Sequence, residues 1–281
     1  MWRSYLGVTA TFLVVPQWQG SGSSRAMRLA DGAAAIRAEL PVHGTILIEV
    51  PPEAGSDEDS GVLRLSSIRQ IRDAQLISLA DVKGRVISIG GDCGIDLAGV
   101  HHAAKASDGP MAVIWLDAHA DLNTPDSSPS GAFHGMVLRT LLGDGTPTLL
   151  PELPLDPRLV ILAGTRALED AELSYIEESK LTVIEPNSLD TASITAALAV
   201  SGATSVYFHV DLDVLDPAEF ASFSSPEPFG VSLATVLDVI AAAKKALPLI
   251  GAAITGFAPA NPQDAAEDLA SIMRIVGALA R

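Results

Sequence analysis

The sequence predicts an α/β fold, a mainly parallel sheet with helices on both faces, on three observations. Short β-branched runs alternate with helical patterns nearly end to end over 281 residues. Hydrophobic residues make up 48% of the chain and charged ones 19%, a globular proportion. Three strand candidates end in segments rich in acids, glycine or both, and the carboxyl ends of parallel strands are where ligands bind in such folds.

Gly7–Val15 (GVTATFLVV) is the first strand candidate. It has the apolarity of a signal-peptide core, but Arg3 is the only charge before it and the run ends in Pro16-Gln17-Trp18-Gln19-Gly20. A buried strand and a glycine turn fit better. A helical pattern over Ser24–Leu40 and a strand over Gly44–Val50 follow. Pro51–Ser60 (PPEAGSDEDS) is acidic and breaker-rich, an exposed loop. Next come helix Ser66–Val82, strand Arg85–Ile89, helix Ile95–Ala106, strand Ala112–Leu116 and helix His134–Leu142. Strands Leu159–Leu162 and Leu181–Ile184, helix Ala192–Val200, strand Ser205–Val210, helix Leu233–Ala246, strand Ile250–Thr255 and helix Asp264–Ala280 complete the series. No repeat and no shift of composition divides the chain, so residues 1–281 read as a single domain.

A net charge of −16 argues against a general nucleic-acid binder, because phosphate would be repelled. No apolar run reaches the length of a bilayer span. Cys93 is the only cysteine, so no intramolecular disulfide forms; a reducing, cytoplasmic setting is the expectation.

The strand Ala112–Leu116 runs straight into Asp117-Ala118-His119-Ala120-Asp121. Alternate side chains of extended chain point the same way, so Asp117, His119 and Asp121 can converge. Burying them beside apolar sheet is costly without a shared counter-charge, which a metal ion supplies. For this segment alone, a loop whose acids cap turns is the competing reading. The strand Ser205–Val210 ends similarly, in Asp211-Leu212-Asp213-Val214-Leu215-Asp216-Pro217, with Asp211 and Asp213 on one face. Asp216, before a proline, suits a turn. Carboxylates with one or two imidazoles suit Mn²⁺, and bridging between two ions explains four aspartates better than crowding around one. Gly90-Gly91-Asp92-Cys93-Gly94 lets the backbone approach something closely, although a plain strand-to-helix turn with a buried thiol explains it by itself. His134 opens a helix after a Pro/Ser-rich loop. His43, His101 and His102 stay outside the site. His209, one step deeper in its strand than Asp211, suits a buried hydrogen bond near the metal.

Together these segments resemble the arginase, agmatinase and formiminoglutamase (ureohydrolase) family, which carries GGDHx, DAHxD, SGxxHG and DxDxxDP in this order. The matching stretches are Gly90–Gly94, Asp117–Asp121, Ser130–Gly135 and Asp211–Pro217, and Ser224-Ser225-Pro226-Glu227-Pro228 is similar to the family's GTPEPGG turn. The resemblance implies a three-layer α/β/α sandwich around a mainly parallel eight-stranded sheet. It also implies a binuclear manganese site: Asp117 and Asp211 bridge the ions, His119 and Asp213 complete one, Asp121 and Cys93 the other. A hydroxide between the ions would attack the planar carbon of a guanidine, amidine or amide-like group. His134 would be the catalytic proton shuttle, with a pKa near the working pH. Asn123, Ser128 and Ser130 match positions that contact the amino-acid end of the substrate in arginases. Glu169 falls near an aspartate that binds the α-amino group, and Ser225 matches a hydroxyl near the guanidinium. A small-molecule substrate with an amino-acid group follows, as does a homo-oligomer, a trimer or hexamer by analogy.

Two positions depart from the family. Cys93 stands where the first metal ligand is histidine, and a thiolate suits Zn²⁺ or Fe²⁺ better than Mn²⁺; the other ion's site is expected to be the tighter. Gly256, in Gly256-Phe257-Ala258-Pro259-Ala260-Asn261-Pro262, stands where arginases and agmatinases carry a guanidinium-binding glutamate. The leading reading is a metal-dependent hydrolase of C–N bonds in a guanidino or amidino small molecule. The alternative is a catalytically altered or inactive ureohydrolase-like binding or regulatory protein, favoured by Cys93 and Gly256 and opposed by the retained His134 and aspartates. A two-metal phosphoesterase ranks last, for want of a phosphate cradle.

Overall fold

Eight strands occur in chain order: β1 (Thr11–Val14), β2 (Thr45–Leu47), β3 (Val86–Ile89), β4 (Met111–Leu116), β5 (Val160–Ala163), β6 (Thr182–Ile184), β7 (Ser205–Asp211) and β8 (Leu249–Thr255). The helices are α1 (Arg28–Glu39), α2 (Leu65–Leu79), α3 (Asp96–Ala106), α4 (Val137–Leu141), α5 (Asp170–Ser179), α6 (Thr191–Ser201), α7 (Leu233–Ala246) and α8 (Pro262–Ala280). The computed structural model describes residues 10–281 apart from the Pro262 side chain, so Arg3 and the start of the expected first strand lie outside the described residues. All pairings are parallel, in one sheet of order β2-β1-β3-β8-β7-β4-β5-β6.

Parallel strands need crossovers, and the helices supply them on both faces. Alternate residues of β4 and β7 serve different cores. Ile114, Leu116, Phe208 and Val210 pack with residues of α1, α6, α7 and α8. Met111, Val113, Trp115 and Tyr207 pack with residues of α2, α3 and α4, and α5 adds partly buried Tyr175 and Ile176. This is the expected three-layer α/β/α sandwich. Among the described residues no helix is long and apolar enough to cross a membrane.

Two helices differ from expectation. Over His134–Leu142 the chain makes a 3₁₀ turn, Phe133–Met136, and then the short α4. Helix α5 is absent from the sequence reading because it has no apolar stripe: Glu172 is its one buried residue. Its start is marked instead by the Glu172 carboxylate, whose Oε2 accepts the Glu169 N–H at 3.0 Å. The acidic loop Pro51–Ser60 is exposed as expected, with Glu58 and Asp59 in the left-handed region.

Register decides where the chemistry falls. Ile89 pairs with Ile254, Ile254 with Val210, and Val210 with Leu116. Four adjacent strands, β3, β8, β7 and β4, therefore end level, although they are far apart in sequence.

Candidate metal centre

From β3 the chain enters Gly90–Gly94. Gly91 has φ +75°, and a Cβ there would sit 2.5 Å from the Gln17 carbonyl oxygen, so only glycine fits the approach. Asp92 then ties two loops together. Its Oδ1 accepts from Gln17 Nε2 at 2.8 Å and Gly94 N at 2.9 Å, and its Oδ2 from Gly20 N at 2.9 Å. Burial still pushes its pKa up to about 6. The turn buries Cys93, whose Sγ lies 3.3 Å from Asp211 Oδ2. Burial first, then the charges of Asp121, Asp211 and Asp117, raise this thiol well above its ordinary value.

Beyond β4, Asp117 Oδ1 accepts the His119 N–H at 2.7 Å. The extended alternation does not continue: Asp121 has φ +53°, in the left-handed region. At the end of β7, Asp211 Oδ1 accepts the Asp213 N–H at 3.0 Å and Oδ2 accepts from Thr255 Oγ1 at 3.0 Å. Asp213 sits in a 3₁₀ turn, so capping by Asp211, not strand alternation, brings the two together. Asp213 Oδ1 accepts the Ala118 N–H at 3.1 Å, which locks the two acidic segments to each other.

Two sets of donors form. Asp117, His119 and Asp213 make one, and Cys93, Asp117, His209 and Asp211 the other; within each set the ligand atoms lie within 4.8 Å of one another. Asp117 belongs to both, with Oδ1 3.5 Å from His119 Nδ1 and Oδ2 3.4 Å from His209 Nε2. His119 Nδ1 is also 3.1 Å from Asp213 Oδ2. Asp121 is in neither set, but its buried Oδ2 has no hydrogen-bond partner and its charge is the largest acting on Cys93, so it stands beside the second set. His209, which sequence reading leaves as a hydrogen-bonding neighbour, makes that bond through Nδ1 to Asp96 and also turns Nε2 into the second set.

The electrostatics of the centre favour a cation. Burial raises Asp121, Asp211 and Asp213; Asp117 adds to the first two, and Asp211 with Asp117 to the third. The imidazoles stand in as the positive charges. Burial alone would lower them, but Asp117 and Asp213 hold His119 up at about 12, and Asp117 and Asp96 hold His209 at about 10. Even so, Asp117 Oδ2, Asp121 Oδ2 and His209 Nε2 are buried without hydrogen-bond partners. Orphaned buried polar atoms are costly, and a divalent ion in place of the imidazole proton would satisfy them. The residues fit a metal.

His134 stands beside the centre on the 3₁₀ turn, its backbone N–H donated to the Gly20 carbonyl at 3.0 Å. Burial, then the charge on His119, pushes its pKa down to about 4. That differs from the expected value near working pH; this imidazole is neutral.

A model of the arginase family matches residues 24–278. The chain belongs to the arginase family. Arginase of Bacillus subtilis (strain 168) is 35% identical over 153 residues, 51% of each chain, so the chain spans about half the length of this curated relative in that match. The crystal structure of a Bacillus subtilis arginase superposes with a TM-score of 0.84 at 26% identity, covering 96% of this chain and 97% of that one. Proclavaminate amidino hydrolase of Streptomyces clavuligerus shares the fold, with a TM-score of 0.73 at 22% identity over 96% and 90% of the two chains.

Within this family member the remaining expected residues divide. Asn123 Nδ2 donates to Glu169 Oε2 at 2.9 Å, so these two meet. Ser128 and Ser130 accept the N–H groups of Gly131 and Ala132 at 3.1 and 3.2 Å and shape their loop. Ser225 is half-buried on the following turn, next to Ser224, whose N–H donates to the Gly256 carbonyl at 3.1 Å. Gly256 itself has φ +84°, and a Cβ there would lie 2.2 Å from Asp211 Oδ1. The backbone therefore leaves no room for the carboxylate seen in arginases and agmatinases. Glu227 is the nearest substitute, with Oε1 3.8 Å from His119 Nε2.

Sequence reading also passed over Arg166. Its guanidinium donates to the carbonyls of Asp213 (2.7 Å), Glu227 (2.9 Å) and Pro228 (2.8 Å), joining β5, β7 and the Glu227 turn. An arginine just past a strand gives no hint of three distant carbonyls. Asp96, which binds both Tyr207 Oη and His209 Nδ1, was equally hidden at a helix start.

Proposed function

We propose that this chain hydrolyses a C–N bond in a small guanidino or amidino compound, using a pair of divalent ions. The observation that carries the proposal is Asp117, a buried carboxylate shared by two donor sets, with one oxygen facing each imidazole. On the His119 side the donors are oxygen and imidazole nitrogen, which suits Mn²⁺. When bound, the ions supply a water of lowered pKa and polarise the group under attack. The chain's own residues do the rest. Asp211 and Asp213, pinned by Thr255 and Ala118, hold the geometry rigid. His134, neutral at the working pH, accepts a proton and returns it to the leaving nitrogen.

Glu227, 3.8 Å from His119 Nε2, offers a carboxylate for the amidino group, and Asn123 with Glu169 offers an acceptor for an α-amino group. Without a carboxylate at Gly256, the substrate is one whose cation is held from the Glu227 side. Ureohydrolase relatives that cleave amidino groups, with proclavaminate amidino hydrolase among the structural neighbours, support this class over a binding protein without catalysis. The test is release of urea or ammonia from a panel of guanidino, amidino and formimino compounds after loading with Mn²⁺, Fe²⁺ or Zn²⁺. Absence of release with every metal, from protein that holds its ions, refutes the proposal.

A further inference from the structure

The second donor set contains a group that neither the motifs nor the proposed reaction use. We propose that His209 is a metal ligand, so that Cys93, Asp117, His209 and Asp211 form a mixed sulfur, nitrogen and oxygen site selective for Zn²⁺, Fe²⁺ or Co²⁺ over Mn²⁺. The inference deepens the hydrolase reading and rests on it for the ion's role.

Four observations converge on it. His209 is fully buried on the central strand β7, and its Nε2 has no hydrogen-bond partner. The equally unpartnered Asp117 Oδ2 lies 3.4 Å from it, in an ion-pair contact without hydrogen-bond geometry. Two donors that share a tetrahedral ion at ordinary zinc distances stand about 3.3 Å apart. The Cys93 Sγ to Asp211 Oδ2 separation, 3.3 Å, is of the same size.

The ring is also prepared as a ligand from behind. Asp96 accepts a hydrogen bond from Nδ1–H and is itself fixed by the Tyr207 hydroxyl, while Trp115 stacks on the ring at 3.6 Å and 10°. A carboxylate on the far nitrogen fixes the tautomer that leaves Nε2 free to coordinate, an arrangement recurrent in histidine–metal sites. Finally, the donor inventory balances. The imidazole missing at Cys93 is matched by one from β7, two strands along the sheet from β3, and Asp121 lies outside the set. Binding an ion releases the Cys93 thiol proton and the second imidazole proton of His209 to solvent. A thiolate and an imidazole together favour softer ions than Mn²⁺.

The experiment uses Co²⁺ on the full chain. One equivalent should give an optical thiolate-to-metal charge-transfer band and an X-ray absorption spectrum with one sulfur and imidazole scattering. His209→Gln should weaken the titration of that band by about tenfold or more and remove the imidazole contribution, and Asp96→Asn should weaken it by about tenfold. An unchanged titration in His209→Gln, with imidazole scattering retained, overturns the inference. If that variant does not fold, the wild-type spectrum decides: sulfur without imidazole refutes it. A His209-dependent ion with no hydrolysis of any amidino compound supports this inference while the hydrolase reading fails. Hydrolysis with an ion insensitive to His209 does the reverse. No bound Co²⁺ overturns the inference outright.

Discussion

Restoring a side chain at Gly256 should damage the protein rather than return it to a conventional arginase. In Gly256→Ala the new Cβ would lie 2.2 Å from Asp211 Oδ1, where ordinary contact begins at 3.4 Å. Asp211 cannot step aside cheaply, because Thr255 Oγ1 and the Asp213 N–H hold it at 3.0 Å each. Displacing it leaves those buried donors unpaired, at about 1–3 kcal/mol each, and the left-handed backbone at 256 adds about 1–2 kcal/mol. Alanine returns about 0.4–1 kcal/mol by restraining the unfolded chain. The net loss is about 2–8 kcal/mol, against a typical total stability of about 5–15 kcal/mol. Urea denaturation of the metal-free protein reads the loss directly, and metal titration should show ions bound about tenfold or more weakly. Gly256→Glu should be worse on both counts. A Gly256→Ala protein with wild-type midpoint and metal affinity would refute the reasoning, since it would mean that Asp211 is free to move.

His134→Asn should lower kcat by about 10²–10⁴-fold while metal stoichiometry stays constant; loss of bound metal would move His134 from proton transfer to structure. Stability of the metal-free protein should fall as pH rises. His119 and His209 have folded pKa values near 12 and 10 against 6.5 unfolded, so their contribution is complete below 6.5 and is lost through those values. The raised Asp92, at about 6 against 3.8, acts in the same sense between those two values. Denaturation midpoints from pH 5 to 9, with and without Mn²⁺, test this: a flat metal-free profile contradicts it, and the ion should restore stability at the alkaline end. Phe229→Gly should stabilise by about 0.5–1 kcal/mol, because Phe229 is 82% exposed and holds φ +64°, a conformation that costs most side chains about 1–2 kcal/mol. A lower thermal midpoint would show that the ring makes contacts worth more than its strain.

The layer order of the fold and the acid-bearing strand ends were legible in the chain because both rest on local patterns. Apolar runs such as Val113–Leu116 and Val206–Val210 must be buried, and their abrupt change to Asp117 and Asp211 marks where burial meets chemistry. Family motifs added the partners expected of those acids. Helix α5 escaped because its buried residue is a carboxylate that caps, and capping leaves no apolar period to read. The left-handed backbone at Asp121 was not legible, because one such residue breaks the alternation and nothing in the identity of an aspartate announces it.

By itself, then, the sequence determined the elements, their burial and which acids lie at strand ends, since those depend on neighbours along the chain. Only the tertiary structure decided which ends meet. The order β3-β8-β7-β4 brings Cys93, Asp117, His209 and Asp211 together from segments up to 118 positions apart. It turned His209 from a strand-core histidine into a candidate ligand and closed the space at Gly256. Distances between side chains on different strands are fixed by sheet register and packing, and no local pattern encodes them.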